Sequence, residues 1–335
     1  MKGVAPTTYE TDFHAIVNQI QLTKRNVYQF ANQSLIDLYW NIGQVISQHV
    51  ASIKWGKSVV SELAKFIVQQ DPEIKGFSDK NLWRMKQFYE TYQDKPKLSP
   101  LVREIPWTHN TIIFSRCKSA EEREFYLRLM IKDKLAKRDL ERQIDSSLFE
   151  RTTIGNQKLS AVLRELHPKI ENNFKDNYVL EFLGLPILHN ESNLQKSLVQ
   201  NMKHFILELG KDFIFIGEEY RVQVGNSDFF IDLLFFHREL SALVAFELKV
   251  GKFKPEHLGQ LSFYLEALDR DVKKPHEKPS IGVLLCSDKD DEVVEYALSR
   301  HLSPTLISQY TLLLPDKKLL QAKLHEINVM LEVVE

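Results

Sequence analysis

The sequence predicts an α+β protein of two domains, an all-helical N-terminal half followed by an α/β core built on a mixed sheet. The chain has 335 residues, more than one typical hydrophobic core accommodates. Apolar residues in the first half recur every three or four positions, which is typical of amphipathic helices. The second half alternates short β-branched and aromatic runs with helical segments. We therefore expect a helical domain over 1–160 and an α/β domain over 175–335.

The composition argues against several protein classes. Lys and Arg (44) nearly balance Asp and Glu (45), so binding of nucleic acid would have to depend on local basic patches. Cys117 and Cys286 have no partner at ligand spacing, which argues against a disulfide framework or a zinc site. The sequence contains no long apolar run and no signal-peptide core. We expect a cytoplasmic protein without a membrane partner, and a homo-oligomer is left open.

The N-terminal half begins with a long amphipathic pattern from about Phe13 to Ser52, followed by a helical segment from Val59 to Val68. Ser78 is a favourable N-cap for a further helix over residues 79–92, with Phe77 placed as a hydrophobic staple. A helix, a short turn and a capped helix are compatible with a helix-turn-helix or winged-helix unit.

The capped helix carries three basic residues, Lys80, Arg84 and Lys86. Side chains of this kind contact phosphates and base edges when a helix enters a groove of DNA. The same charges also suit the solvated face of a helical bundle, which is the commoner arrangement. The basic segment Lys134 to Ile144 has the same two interpretations.

In the second half, a helix is expected from Ser192 to Leu209 and a strand over residues 213–224, bent near Gly217. Two hydrophobic runs, Phe229–Phe236 and Ala242–Val250, then predict a buried β-hairpin. The elements expected after it are a helix that begins near Lys254, a strand over 281–286, a helix over 290–299, a strand over 305–312 and a helix over 317–331.

Three ionisable residues lie inside the predicted hairpin: Asp232, Glu247 and Lys249. An unpaired charge buried in a core costs several kcal/mol, so these groups need compensation. Glu247 and Lys249 are two positions apart and leave the same face of their strand. Two converging carboxylates suit a hard cation such as Mg²⁺ or Mn²⁺. A buried ion pair between Asp232 and Lys249, with no metal, is the alternative.

The following helix adds Gln260 and Tyr264, which lie four apart on one helix face. The order Asp, ExK, QxxxY resembles the RecB-like nucleases of the PD-(D/E)xK phosphodiesterase superfamily. Within it, the chain is similar to the YhcG-like family over roughly residues 16–311. The segments that carry this similarity are YWNIGQVI, KGFSDKNLWRMKQFY, IPWTHN, LELGKDF and FKPEHLGQLSFYLEALD.

The resemblance implies a restriction-endonuclease-like core and a metal-dependent nuclease, acting most readily on DNA and targeted by the helical domain. It implies that Asp232, Glu247 and the backbone carbonyl of Leu248 hold Mg²⁺ or Mn²⁺, with Glu191 as an additional ligand. Lys249 would orient or deprotonate the attacking water. Gln260 and Tyr264 would support the lysine or the nucleic acid.

Two positions depart from the family pattern. Ile231 stands where the motif has proline, and Gln195 occupies the slot on the first core helix where relatives tend to carry an acid, leaving Glu191 one turn earlier as its substitute. This departure keeps a second hypothesis open, a catalytically weak or inactive nuclease fold that acts as a DNA- or protein-binding module. Roles in repair or recombination, or in defence against foreign DNA or RNA, are also open.

Overall fold

The computed structural model describes residues 8–52, 55–168, 170 and 173–334. The chain divides into two compact units, residues 1–141 and 142–335. The domain limits expected from the sequence, 1–160 and 175–335, stay a prediction. In the described part of the chain, no helix is both long enough and apolar enough to cross a membrane.

The first unit is built from helices. In chain order they are α1 (Thr8–Ala51), α2 (Lys57–Gln70), α3 (Asp79–Tyr92), α4 (Ser99–Glu104), α5 (Trp107–Arg116), α6 (Ala120–Asp133) and α7 (Lys137–Asp145), the last of which crosses into the second unit. Among the described residues up to Glu141 there is no strand, so nothing in that part of the chain could form the wing of a winged helix.

The N-cap expected at Ser78 is present, and the structure shows a second one at Ser119. The Ser78 hydroxyl accepts a hydrogen bond from the amide of Asn81 at the start of α3, and Ser119 accepts one from Glu122 at the start of α6. The core between α1 and α3 contains Tyr39, Ile46 and Met85. Gly43 lets these helices approach closely, because a Cβ added there would lie 2.1 Å from the carbonyl oxygen of Met85.

The second unit is a seven-stranded sheet with helices on both faces. Its strands are β1 (Lys158–Leu159), β2 (Asn177–Val179), β3 (Phe213–Val224), β4 (Ser227–His237), β5 (Ala242–Lys252), β6 (Lys278–Asp288) and β7 (Thr305–Thr311). Its further helices are α8 (Leu148–Ile154), α9 (Ala161–Leu166), α10 (Glu191–Gln200), α11 (Met202–Leu209), α12 (His257–Ala267), α13 (Asp291–Ser299) and α14 (Lys317–Val334).

The sheet is mixed, with the strand order β1-β7-β6-β5-β4-β3 and β2 paired with β7. Strands β3, β4 and β5 form an antiparallel meander. Strands β5, β6 and β7 run parallel, which is why α12 and α13 are needed as crossovers. The mixed-sheet core expected from the sequence is therefore present.

Each face of the sheet has its own hydrophobic layer. On one face, Phe246 and Leu248 pack with Leu194 and Phe205 of α10 and α11. On the other, Ala245 and residues of β6 pack with α12. Gly282 of β6 permits the close approach of α12, since a Cβ there would lie 2.8 Å from Cγ of Leu261.

The structure differs from the sequence expectation in two elements. The helix expected from Ser192 to Leu209 is divided into α10 and α11 at Asn201, whose side-chain amide donates to the carbonyl of Ser197. The stretch from Ser146 to Leu185, for which the sequence predicts no regular element, supplies β1 and β2, which both pair with β7. These strands have two and three residues, too few for a periodic pattern to show.

Candidate active site

The candidate site lies where β4 and β5 stop pairing. The ladder between them ends at Leu233 and Phe246, so Asp232 and Glu247 stand at the opening of a fork. Beyond this point β4 keeps its pairing with β3, and β5 keeps its pairing with β6 as far as Lys252. The side chain of Asp232 crosses the fork, where its Oδ2 accepts a hydrogen bond of 2.7 Å from the amide of Leu248.

The backbone of β4 is irregular at Asp232. Ile231 and Leu233 are two positions apart, yet they pack on opposite faces of the sheet, which breaks the usual alternation. On the neighbouring strand, Glu219 has a positive φ of 43° and lies level with Asp232 in the β3–β4 register. The carboxyl of Asp232 is therefore held by a local distortion of two strands.

Lys249 joins the acidic groups of the site. Its ammonium lies 2.9 Å from Oε1 of Glu247 and 3.6 Å from Oε2 of Glu191. Glu191 begins α10, and its other oxygen accepts a hydrogen bond from the amide of Val250 at 3.4 Å. The sequence left open an ion pair between Asp232 and Lys249. In the structure Lys249 instead pairs with Glu247 and Glu191, and Asp232 accepts a hydrogen bond from the backbone.

Burial and neighbouring charge shift the pKa values of this cluster. Burial, reinforced by the charge of Asp232, raises the pKa of Glu247 to about 7. Burial also raises the pKa of Asp232, and Glu191 and Glu219 add to that rise. Burial alone would lower the pKa of Lys249, but its hydrogen bond and ion pairs outweigh this and raise it. Lys249 is therefore a stable cation beside Glu247, whose carboxyl and that of Asp232 are costly to ionise together.

One carboxylate oxygen of the site has no hydrogen-bond partner. Glu247 is 1% exposed, and its Oε2 is buried and unsatisfied while Oε1 binds Lys249. A buried charged oxygen without a partner is costly, and a divalent cation would satisfy it. Oxygen donors of this kind fit Mg²⁺ or Mn²⁺. The described residues contain no group of three or more His, Cys, Asp or Glu side chains gathered for a metal, so water and backbone oxygens would complete the shell.

The helix α12 brings Tyr264 to the same side of the sheet as Glu247 and Lys249. Burial raises the pKa of Tyr264, and the charges of Glu247 and Asp232 raise it further, which shows that the phenol lies within electrostatic range of both. Gln260 donates a hydrogen bond of 2.8 Å from its side-chain amide to the Tyr264 hydroxyl. The two residues of the QxxxY pattern thus contact each other, and Tyr264 is the one turned to the acids.

Glu191 and Gln195 of α10 make different contacts. Gln195 donates from its side-chain amide to the backbone carbonyl of Asp232 at 3.1 Å, so it supports the distorted strand. Glu191 contacts Lys249, as described above. Glu191 therefore lies with the charged cluster, whereas Gln195, one turn later, binds the backbone of β4.

The basic residues of α3 belong to the first unit. Lys80 and Arg84 are exposed, whereas Lys86 forms an ion pair with Glu90 at 2.7 Å. Asn81 beside them is committed to structure, because it contacts the carbonyl of Gly76 and accepts from the indole of Trp107. Arg142, part of the basic segment noted in the sequence, also has a structural role, since it binds Glu181 and Glu208.

Two further titratable residues, Glu219 and His257, lie near the cluster. From sequence alone Glu219 is most simply a loop acid, yet its charge acts on Asp232; the Gly-Glu-Glu run inside an otherwise regular strand is typical of a bulge. His257 lies at the start of α12, where burial and the charge of Lys249 lower its pKa. Its position depends on the helix packing, which sequence spacing does not reveal.

Each half of the chain matches a known protein-family model. Residues 15–151 match the model of the DUF1016 N-terminal domain, and residues 171–325 match the model of the YhcG PDDEXK nuclease domain. A protein of Escherichia coli (strain K12) named "Putative nuclease YhcG" is 30% identical over 361 aligned residues, covering 97% of this chain and 96% of the relative.

Two solved structures show weaker likeness. A crystal structure of a repair endonuclease from Pyrococcus abyssi has 18% identity over 38% of this chain and 50% of its own, with a TM-score of 0.27. A structure of an EndoMS complex with double-stranded DNA has 16% identity over 39% of this chain and 48% of its own, also at 0.27. The chain thus spans about half of each of those chains, and our conclusions do not depend on them. From the full-length relative and the two domain matches, we conclude that this chain belongs to the YhcG family, with a DUF1016 N-terminal domain and a PDDEXK nuclease domain.

Proposed function

We propose that this chain is a metal-dependent nuclease that hydrolyses phosphodiester bonds in DNA at the fork between β4 and β5. The observation that supports the proposal best is the buried, unsatisfied Oε2 of Glu247 beside Asp232 and Lys249. Asp232, Glu247 and the carbonyl of Leu248 would hold Mg²⁺ or Mn²⁺ together with water, and Glu191 would become an additional ligand once its carboxylate turned from Lys249 to the cation. When bound, such a cation lowers the pKa of a coordinated water and offsets charge that develops on the phosphate.

The protein side chains have separate tasks in this proposal. Lys249 keeps its proton, because its pKa is raised, and its ammonium donates hydrogen bonds to a phosphate oxygen or to the attacking water. Orienting the water is therefore its role, rather than removing the proton. Tyr264 packs beside the acids and is fixed by Gln260, so that its hydroxyl can hydrogen-bond to the nucleic-acid backbone.

The helical unit would select where cutting occurs, by contacts of Lys80, Arg84 and Lys86 with phosphates. The exposure of Lys80 and Arg84 supports this for two of the three residues. The near-zero net charge of the whole chain makes such a local patch necessary for binding.

A cleavage assay tests the proposal. The purified chain is incubated with Mg²⁺ or Mn²⁺ and with supercoiled, linear, single-stranded and branched DNA, and with RNA as a separate substrate. We expect cleavage of DNA that EDTA abolishes and that Asp232→Ala and Lys249→Ala each remove. Matched controls are Asp228→Ala on β4 and Lys252→Ala on β5, both exposed residues in surface ion pairs. These controls should cut like the native chain.

A second candidate function is a DNA- or protein-binding module with the nuclease fold as scaffold. Gln195 in the slot of the first-helix acid favours it, since this side chain binds backbone instead of a metal. DNA binding without cutting, unchanged by Asp232→Ala and Lys249→Ala, would establish the module and exclude the nuclease. Cleavage of RNA in preference to DNA would show that the chain is a ribonuclease and would contradict the choice of DNA as substrate.

A further inference from the structure

The N-terminal part of α1 extends away from the helical core as a single helix. Every residue from 12 to 31 is exposed, a length of about 30 Å at 1.5 Å per residue. The packing of α1 against α3 and α4 starts beyond this segment, with contacts such as the side chain of Asn32 to the carbonyl of Arg103. A helix of this length gains most of its stability from packing of an apolar face, and this segment has no such packing against the other residues that the structure describes.

The exposed segment carries an apolar stripe with a heptad repeat. Tyr9 and Phe13 are 73% and 63% exposed, and Ile16, Ile20 and Val27 are between 48% and 62% exposed. In heptad terms, the a positions are residues 13, 20 and 27, and the d positions are residues 9, 16, 23 and 30, of which only Thr23 is polar. This is the pattern of a helix that packs lengthwise against another helix. Isolated soluble chains rarely expose an apolar patch of this size.

Charge along the same segment is divided between its two ends. Asp12 lies near the start, and Lys24 and Arg25 lie more than three turns later. In a parallel pair of identical helices, acid would face acid and base would face base, which is unfavourable. In an antiparallel pair, the acidic start of each helix, with Glu10 and Asp12, instead lies beside the basic Lys24 and Arg25 of the partner. The charge pattern therefore favours an antiparallel arrangement of two copies.

We propose that the stripe Tyr9–Val27 of α1 is a self-association surface, on which the same stripe of a second copy of this chain packs in antiparallel orientation. Ile16 then lies opposite the partner's Ile20, Phe13 opposite the partner's Thr23, and Tyr9 opposite the partner's Val27. The partner's Thr8, the first described residue of α1, lies level with residue 28, short of the packed part of α1 that begins near Asn32. The free length of the helix matches the overlap that the pair requires.

The size of the contact suits a specific dimer. The two copies together contribute four aromatic rings, which would bury roughly 600–1,000 Å². The isoleucine and valine side chains add to this, so that the total reaches the roughly 1,200 Å² of a stable interface. This inference does not depend on the nuclease activity, because it concerns the first unit alone.

The mass of the full chain in solution tests the proposal. Sedimentation equilibrium over a series of concentrations should give twice the chain mass of 39.1 kDa. The contact between Ile20 and the partner's Ile16 occurs twice in the pair. Ile20→Glu places a carboxylate in both of these contacts and should weaken self-association by roughly tenfold or more. Asn18→Glu adds the same charge in the same turn on the opposite helix face, and should leave the mass unchanged. A single-chain mass for the native protein, or a dimer unaffected by Ile20→Glu, would overturn the proposal.

Cross-linking tests the orientation in folded protein. Ile16→Cys chains and Ile20→Cys chains, mixed and mildly oxidised, should form a disulfide-linked heterodimer, because residues 16 and 20 face each other in the antiparallel pair. Each variant alone should form little disulfide-linked dimer. In a parallel pair identical positions face each other, so each variant would instead cross-link with itself. Cys117 and Cys286 are both buried and do not interfere. Cross-linking of each variant with itself, but not of the mixture, would overturn the antiparallel arrangement.

Discussion

Glu247 is the residue whose environment is least consistent with a purely structural role. It is fully buried, one of its oxygens has no partner, and burial beside Asp232 raises its pKa to about 7. A side chain kept only for stability would be better replaced by an apolar residue, since buried charges cost more than they return unless fully paired. The cost is explained if this oxygen is reserved for a cation.

Glu247→Gln should abolish or strongly weaken divalent metal binding while the fold stays cooperative. Glutamine keeps the shape of the side chain but supplies no negative charge, and hard cations bind carboxylates in preference to amides. Calorimetric titration with Mn²⁺ measures the affinity, and thermal unfolding measures the stability. Glu239→Gln, at the exposed turn between β4 and β5, is the matched control and should bind Mn²⁺ like the native chain. Unchanged affinity in Glu247→Gln would contradict the ligand role.

At this scale, the sequence predicts which residues carry charge into the sheet but not how they pair. The two-residue spacing of Glu247 and Lys249 implies a shared face of the strand, and Nζ of Lys249 lies 2.9 Å from Oε1 of Glu247. The bond from the amide of Leu248 to Asp232 could not be foreseen, because it depends on the point at which the β4–β5 ladder opens. The place of Glu219 level with Asp232 could not be derived from the sequence for the same reason, since it depends on the bulge in β3.

At the scale of single elements, the contact between α1 and α3 depends on one glycine. A Cβ at position 43 would clash with the carbonyl of Met85, and backbone cannot move aside as a flexible side chain can. Overpacking of this kind typically costs about 1–3 kcal/mol.

Gly43→Ala should therefore destabilise the helical unit, although alanine is the better helix former. All four tryptophans lie in residues 1–141, so Trp fluorescence during urea unfolding reports on this unit alone. Gly259→Ala in α12 is the control: its Cβ meets nothing, and it should stabilise the second unit by up to about 1 kcal/mol. A Trp-detected midpoint that is unchanged or raised in Gly43→Ala would show that α1 and α3 can separate without cost.

The exposed face of α3 permits a test of nucleic-acid contact. Removal of Lys80 and Arg84 together should weaken DNA binding and lower the slope of log affinity against log salt by about 2, since each phosphate contact contributes about 0.9. Gel shifts at several salt concentrations measure the slope, and Mn²⁺ titration should show unchanged metal affinity. The pair Lys95→Ala and Lys97→Ala, in the exposed loop after α3, removes equal charge as a control. Equal slopes in both double variants would exclude α3 as the contact.

For the whole molecule, hydrophobic periodicity predicts the succession of long helices and strands. It does not predict short strands that form only by pairing with a distant part of the chain. Strands β1 and β2 are short and gain their stability from β7, more than a hundred positions later, so no local pattern announces them. The amphipathic pattern of α1 predicts a buried face correctly beyond Asn32. Before that residue, the same pattern cannot reveal that no other described segment covers the apolar face of the helix.

The second unit is also held by a buried charge cluster around Glu208. This fully buried carboxylate binds Arg142 and Arg151 at 2.9 and 3.0 Å, and Lys175 lies 3.5 Å away. Burial acts to raise the pKa of Glu208, but the charges of Lys175, Arg151 and Arg142 outweigh it and lower the pKa to about 2. The cluster joins α7, α8 and α11 with the segment that precedes β2.

The stability of the second unit should consequently fall in acid. Because the folded chain binds fewer protons at Glu208 than the unfolded chain, the stabilisation is complete above pH 4.5, the ordinary value, and is lost as the pH falls toward 2. The loss should amount to roughly 3 kcal/mol. Far-UV circular dichroism during urea unfolding measures it, with Trp fluorescence separating the first unit. Glu208→Gln should be less stable by about 3–5 kcal/mol near neutral pH, because Arg151 and Lys175 then lack their anion and Arg142 keeps only Glu181. Its stability should also change less in acid. Glu239→Gln should keep the native acid dependence, and the same dependence in Glu208→Gln would assign the acid sensitivity to another group.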